Sequence, residues 1–181
     1  MKKWEVKRAD TPDEFRQIFR LNYETFVEEI PQHEVNHDQL LVDFQHQRNT
    51  YFIAMEEGVL IGMIAINDQR PYSLDHKLEN LGDWVQDLDK SCEVRLLAVH
   101  QQYRSRGVML ALLKALYEYA QEKDYQIGLI SGILKNLPLY EKMGFQAFGP
   151  ICGSGQAQFQ PMMVTQKQMQ TFFENANYES F

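Results

Sequence analysis

The chain has 181 residues, 44% apolar and 12% aromatic, enough for one compact domain with a full core and too short for two. A formal net charge of -7 excludes a protein that grips nucleic acid or an anionic membrane over a broad face. Its two cysteines, Cys92 and Cys152, have no framework spacing, and no apolar run approaches the roughly 18 residues of a membrane span. The charged opening MKKWEVKRADTPDEF lacks an apolar stretch, so a cytoplasmic protein is expected.

Residues 4–7 alternate as an opening strand, and Thr11-Pro12-Asp13-Glu14 forms a capping box that starts a helix. Phe15, Ile18, Phe19, Tyr23, Phe26 and Val27 recur at helical spacing until Pro31. Asn36 is read as the cap of a second helix bearing Leu40, Leu41 and Phe44. Across the same stretch His33-Glu34-Val35-Asn36-His37 matches H-E-x-x-H, which on a helix sets two imidazoles around zinc. Pro31 and the cap place it in a loop, and no third ligand follows, so no metal is expected.

Two strand-forming runs, 50–55 and 59–66, flank Glu56-Glu57-Gly58 as a hairpin. Residues 68–91 are a long polar insertion that nevertheless carries Tyr72, Leu74, Leu78, Leu81, Trp84, Val85 and Leu88. Segments of that length are functional or disordered. This one reads as part of an acceptor or acyl-chain site, or as a helical decoration on the sheet edge.

A central strand opens at Glu93, the turn YRSRGV hands it to an amphipathic helix, and a second apolar strand covers 126–130. The unpaired amides of that helix's first turn make a pocket for a phosphate. Arg95, Arg104, Arg106 and Lys114 supply local positive charge, or simply solvate a helix start. Gly107 allows a close approach of backbone to phosphate, or merely closes the turn. Further on, Pro138 opens a short helix carrying Tyr140, strand candidates follow at 146–153 and 159–164, and Thr165 caps a closing helix to about Glu174.

Residues 93–145 resemble the acyl-CoA-binding half of the GNAT superfamily of N-acyltransferases. Arg104 and Gly107 match the first and fourth positions of its pyrophosphate motif Q/R-x-x-G-x-G/A, and Met109 departs from the sixth. Asn136, Tyr140, Gly144 and Phe145 stand as in the family's later motif. The resemblance implies a single α/β domain with a mixed sheet of about seven strands, helices on both faces, and the order β-α-α-β-β-β-α-β-α-β-β. It implies an N-acyltransferase that moves an acetyl or other acyl group from acyl-CoA to a primary amine of a small molecule or peptide.

By the same resemblance, the backbone of Leu97, Ala98 and Val99 meets the pantetheine, between two splayed parallel strands. Arg104, Ser105, Arg106, Gly107, Val108 and Met109 meet the pyrophosphate, and Asn136 belongs to the donor site. Tyr140 is implied as the acid that protonates the leaving thiolate, since a phenol is protonated at neutral pH. Glu93 is either the base or the ion-pair partner of Arg95. Counting in twos puts Glu93, Arg95, Leu97 and Val99 on one face and His100 on the other.

LNYETFVEEI, RPYSL and CEVRLLAV together resemble a narrower branch, the acyl-homoserine-lactone and long-chain N-acyl amino acid synthases. Asn22 stands where that branch has arginine, and the Glu93 to Arg95 spacing is one short. The resemblance to this branch implies an acyl carrier protein donor as an alternative, and a silent acyl-CoA-binding module is another. The acceptor and a homodimer are left open.

Overall fold

The computed structural model describes residues 4–105, 107–155 and 158–179. Its contacts divide the chain into two compact units, Met1–Asn67 with Arg95–Leu116, and Asp68–Val94 with Tyr117–Phe181. Seven strands form one sheet in the order β1-β2-β3-β4-β5-β7-β6, an α/β architecture with a mixed sheet. No helix among the described residues is long and apolar enough to cross a membrane.

In the first unit β1 (Trp4–Arg8), β2 (Asn49–Glu56) and β3 (Val59–Asn67) are antiparallel neighbours. Glu57 and Gly58 turn the hairpin with φ of 51° and 82°, the two-residue geometry whose twist matches that of the strands. Helix α1 (Pro12–Tyr23) starts at the expected capping box: Thr11 Oγ1 accepts from Glu14 N at 3.2 Å and Glu14 Oε2 accepts from Thr11 N at 3.2 Å. Lys7, 2.6 Å away, and the amides of Asp10 and Thr11 pull the Glu14 carboxyl down to about 2. α1 runs on as a π-helix, Glu24–Glu29, closed by Ile30 N donating to Thr25 O. Ile18, Leu21 and Phe26 pack on Tyr51, Ile53 and Met63 to make this unit's core.

The expected second helix is not formed. Asn36 donates its side-chain amide to Leu40 O at 3.0 Å and accepts from Leu40 N at 3.4 Å, closing a loop on itself. Such side-chain to backbone bonds compete with helix. Asp43 is engaged by Gln45 N, Asn49 Nδ2 and Arg95 Nη2, and only a single 3₁₀ turn, His46–Arg48, follows. Because 33–37 is not helical, the two histidines do not share a helical face.

In the second unit β4 (Ser91–Val99), which runs through both units, pairs in parallel with β5 (Ile127–Ile133) from Ser91↔Ile127 to Glu93↔Leu129. β5 continues antiparallel to β7 (Phe159–Thr165) along its whole length. The strand expected at 146–153 shrinks to β6 (Gln146–Ala147) plus a bridge at Cys152, since Gly149 with φ 62° and then Pro150 interrupt it. Helix α2 (Val108–Glu122) links β4 to β5, α3 (Leu137–Lys142) follows β5, and α4 (Gln166–Glu179) closes the chain. Thr165 caps α4 through reciprocal bonds with Gln168.

The insertion is packed rather than loose. It makes three 3₁₀ turns, and Tyr72, Leu74, Leu78, Leu81 and Val85 share a core cluster with Leu129, Phe148 and Phe159. Its first residue, Asp68, accepts from the hydroxyls of Tyr119 (3.1 Å) and Tyr125 (3.0 Å). Tyr72 donates to Ser91 O at 2.8 Å, tying the far end back.

Candidate functional site

In the first unit Leu96 adopts φ 54°, a left-handed conformation that a bulky residue in mid-strand rarely takes. A residue so placed resets the alternation of a strand, so the count in twos that put Glu93 and Val99 on one face does not carry past Arg95. Ala98 and Val99 are buried in the core, and the Val99 carbonyl accepts from Arg104. Arg95 lies over the Phe44 ring, 5.3 Å from its centroid, and bonds Asp43 at 2.5 Å.

After β4 the chain makes a 3₁₀ turn, Gln101–Tyr103, and reaches the expected phosphate turn. Gly107 has φ 72° and opens α2, its carbonyl accepting from Ala111 N at 3.1 Å. A Cβ built on it meets nothing within 4 Å, so conformation demands the glycine and open surface lies over it. Val108 is fully buried and packs in the core rather than on the surface of the turn. Ser105 is exposed, Met109 is half-buried, and Arg106 lies outside the described residues.

Arg104 makes three bonds to protein partners while its side chain stays 44% exposed. Its Nε donates to Val99 O at 3.0 Å, and its two terminal nitrogens fork onto Glu29 at 2.7 and 2.5 Å. Tyr103 donates to Glu56 at 2.6 Å from the neighbouring turn. An open groove of about 390 Å³ runs beside them, lined by Glu24, Glu28 and Glu29 of the π-helix and by His100, Gln101 and Arg104. Neither the groove nor the role of Glu29 was legible in the sequence, because the pair is 75 residues apart.

In the second unit Glu93 is 1% exposed. Its carboxylate accepts from Ser73 N (2.9 Å), Ser73 Oγ (2.6 Å) and Leu74 N (3.1 Å), all in the insertion. Tyr140 occupies the last turn of α3, and the sequence KMGF explains how that helix ends. Gly144, with φ 93°, donates to Glu141 O at 2.9 Å, and Phe145 N donates to Tyr140 O at 3.0 Å, the two bonds of a Schellman cap. The hydrophobic contact of that motif is Tyr140 against Phe145, centroids 6.4 Å apart. The phenol is half-buried and burial raises its pKa, while bonds to the Asn136 side chain and the Ile133 backbone pull the other way. Asn136, the residue before α3, thus lies beside the candidate acid.

These features define an acyltransferase fold, and the Acetyltransferase (GNAT) family model matches residues 13–145. The chain belongs to the GNAT family. Among solved structures, the CoA-dependent acyl-homoserine lactone synthase BjaI with SAM and isopentyl-CoA is similar over 98% of this chain and 91% of its own, at 16% identity and TM-score 0.79. FeeM, an N-acyl amino acid synthase from uncultured soil microbes, is similar over 98% of both chains at 17% identity and TM-score 0.69. The acyl-homoserine lactone synthase LasI covers 95% of this chain and 94% of its own at 16% identity and TM-score 0.74. At these identities the likeness is one of fold. A search of curated protein sequences finds no match.

Proposed function

We propose that the protein transfers an acyl group from acyl-CoA to a primary amine of a small molecule or peptide. Tyr140 is the observation that carries this reading: a half-buried phenol, its pKa raised by burial, at the position where the family's motif has its acid. The amine nitrogen attacks the thioester carbonyl, the carbon–sulfur bond breaks, and the departing thiolate takes the phenolic proton. The ammonium proton of the acceptor is lost to solvent or to a base. For Glu93, burial and three donors from the insertion support an anchoring role over that of base.

The donor's diphosphate is proposed to lie at the turn of residues 104–109, over the open surface at Gly107, with the pantetheine along 97–99. A similar fold binding isopentyl-CoA in BjaI supports a CoA donor. The sequence resemblance to the long-chain synthase branch, joined by the likeness to FeeM, an N-acyl amino acid synthase, supports the alternative of a longer acyl chain delivered by acyl carrier protein. Against it, Tyr72, Leu74, Leu78, Leu81 and Val85 of the insertion are used in the core, while Trp84 stays exposed.

The test uses an isosteric pair. Asn and Asp both tolerate a left-handed φ, so Gly107→Asn and Gly107→Asp are equally strained and differ by one charge. In calorimetric titration with CoA, the Asp variant is expected to bind about tenfold more weakly than the Asn variant. Equal affinities remove the turn from the donor site, and no binding by the wild type removes the CoA reading itself.

A further inference from the structure

We infer that Glu29 is a positioning residue for the donor turn, and that Arg104 acts as its brace rather than as a direct phosphate ligand; the inference rests on the proposed binding of CoA at residues 104–109. Backbone amides at the start of α2 can meet an anion only while the turn that leads from Val99 into the helix keeps its shape. Arg104 is the residue that fixes it. Its Nε caps the carbonyl of Val99, the last residue of β4, and its two terminal nitrogens grip both oxygens of Glu29 at the end of the π-helix. A planar guanidinium held on three sides has one orientation, and a forked carboxylate pair is the geometry that best holds it.

The remaining contacts of the turn agree with this. Tyr103, the adjacent residue, is pinned by Glu56 at 2.6 Å, so two consecutive side chains anchor the turn to opposite elements of the same unit. The Glu29 carboxylate also neutralises the Arg104 charge, which leaves backbone amides as the main attraction for a phosphate. The groove beside the pair is lined by both partners, so anything bound there is in contact with the brace.

The experiment compares two donors on the wild type and on Glu29→Gln, which keeps shape and one acceptor but loses the charged fork. Acyl-CoA carries the diphosphate; the matching acyl-pantetheine does not. The ratio of kcat/KM for acyl-CoA to that for acyl-pantetheine should fall about tenfold in Glu29→Gln, through KM, and Arg104→Lys should reproduce the fall because an ammonium cannot fork. Glu29→Asp, which retains the charge, should recover part of it. An unchanged ratio, whatever the melting temperature does, overturns the inference, and so does tighter acyl-CoA binding, which would mark Arg104 as a phosphate ligand restrained by Glu29. A wild type with no preference for acyl-CoA over acyl-pantetheine, together with no CoA binding by calorimetry, would instead strike the underlying reading.

Discussion

Gly132 and Tyr140 are packed so closely that a methyl group on the glycine would lie 3.1 Å from Cδ2 of the tyrosine. The same methyl would meet Met162 Sδ at 2.9 Å and Gln160 O at 3.3 Å, and the carbonyl belongs to a paired strand. Gly132→Ala is therefore expected to displace the Tyr140 ring and cost about 1–3 kcal/mol of stability. Denaturant unfolding checks the cost. Turnover should fall while CoA affinity stays near that of the wild type.

Tyr140→Phe keeps the ring contacts with Phe145 and removes the hydroxyl, with its proton and its bonds to Asn136 and Ile133. Turnover is expected to fall by about two orders of magnitude with donor affinity retained. Because burial raises the pKa of the phenol, the acid stays protonated above the ordinary tyrosine value of about 10. A wild-type pH profile of kcat should thus show no alkaline loss from this group below that value.

Glu93→Gln replaces one acceptor oxygen with a donor that faces Ser73 and Leu74. The loss should be about 1–3 kcal/mol, with faster proteolysis within residues 68–91. An anchoring role predicts kcat within about twofold of wild type when assayed well below the melting transition. A large fall in kcat with an altered acid limb would restore Glu93 as the base.

The capping box gives an acid-stability signature. The Glu14 carboxyl is lowered from 4.5 to about 2, first by Lys7 and then by the amides of Asp10 and Thr11. A lowered folded-state value contributes stability above the unfolded value, and loses it as pH falls through the folded one. Glu14→Gln should therefore flatten the stability profile between pH 4.5 and about 2, as read by urea midpoints across that range.

Cys92 is 2% exposed and burial pushes its thiol up to about 12. Cys152 is half-buried. Thiol titration near pH 8 should find one reactive group per native chain and two in denaturant.

Wherever chemistry acts within a few residues, the sequence by itself determined the structure. Thr11 to Glu14, the Glu57-Gly58 turn, Thr165 with Gln168 and the KMGF ending each close hydrogen bonds over five residues or fewer, and each formed as its residue types require. The GNAT motifs were legible for the same reason, being strand–turn–helix and helix-cap chemistry. Tertiary structure alone decided the rest. Residues 36–45 have helical spacing, yet the long-range bond of Asp43 to Arg95, added to the local bonds of Asn36 with Leu40, holds them in a loop. Leu96 takes a left-handed φ that no strand pattern announces. Glu93 finds its donors 19 and 20 residues back, and Arg104 finds its carboxylate 75 residues back. Local propensity cannot specify such pairs, because closing a long loop is governed by the fold as a whole and not by the residues that finally meet.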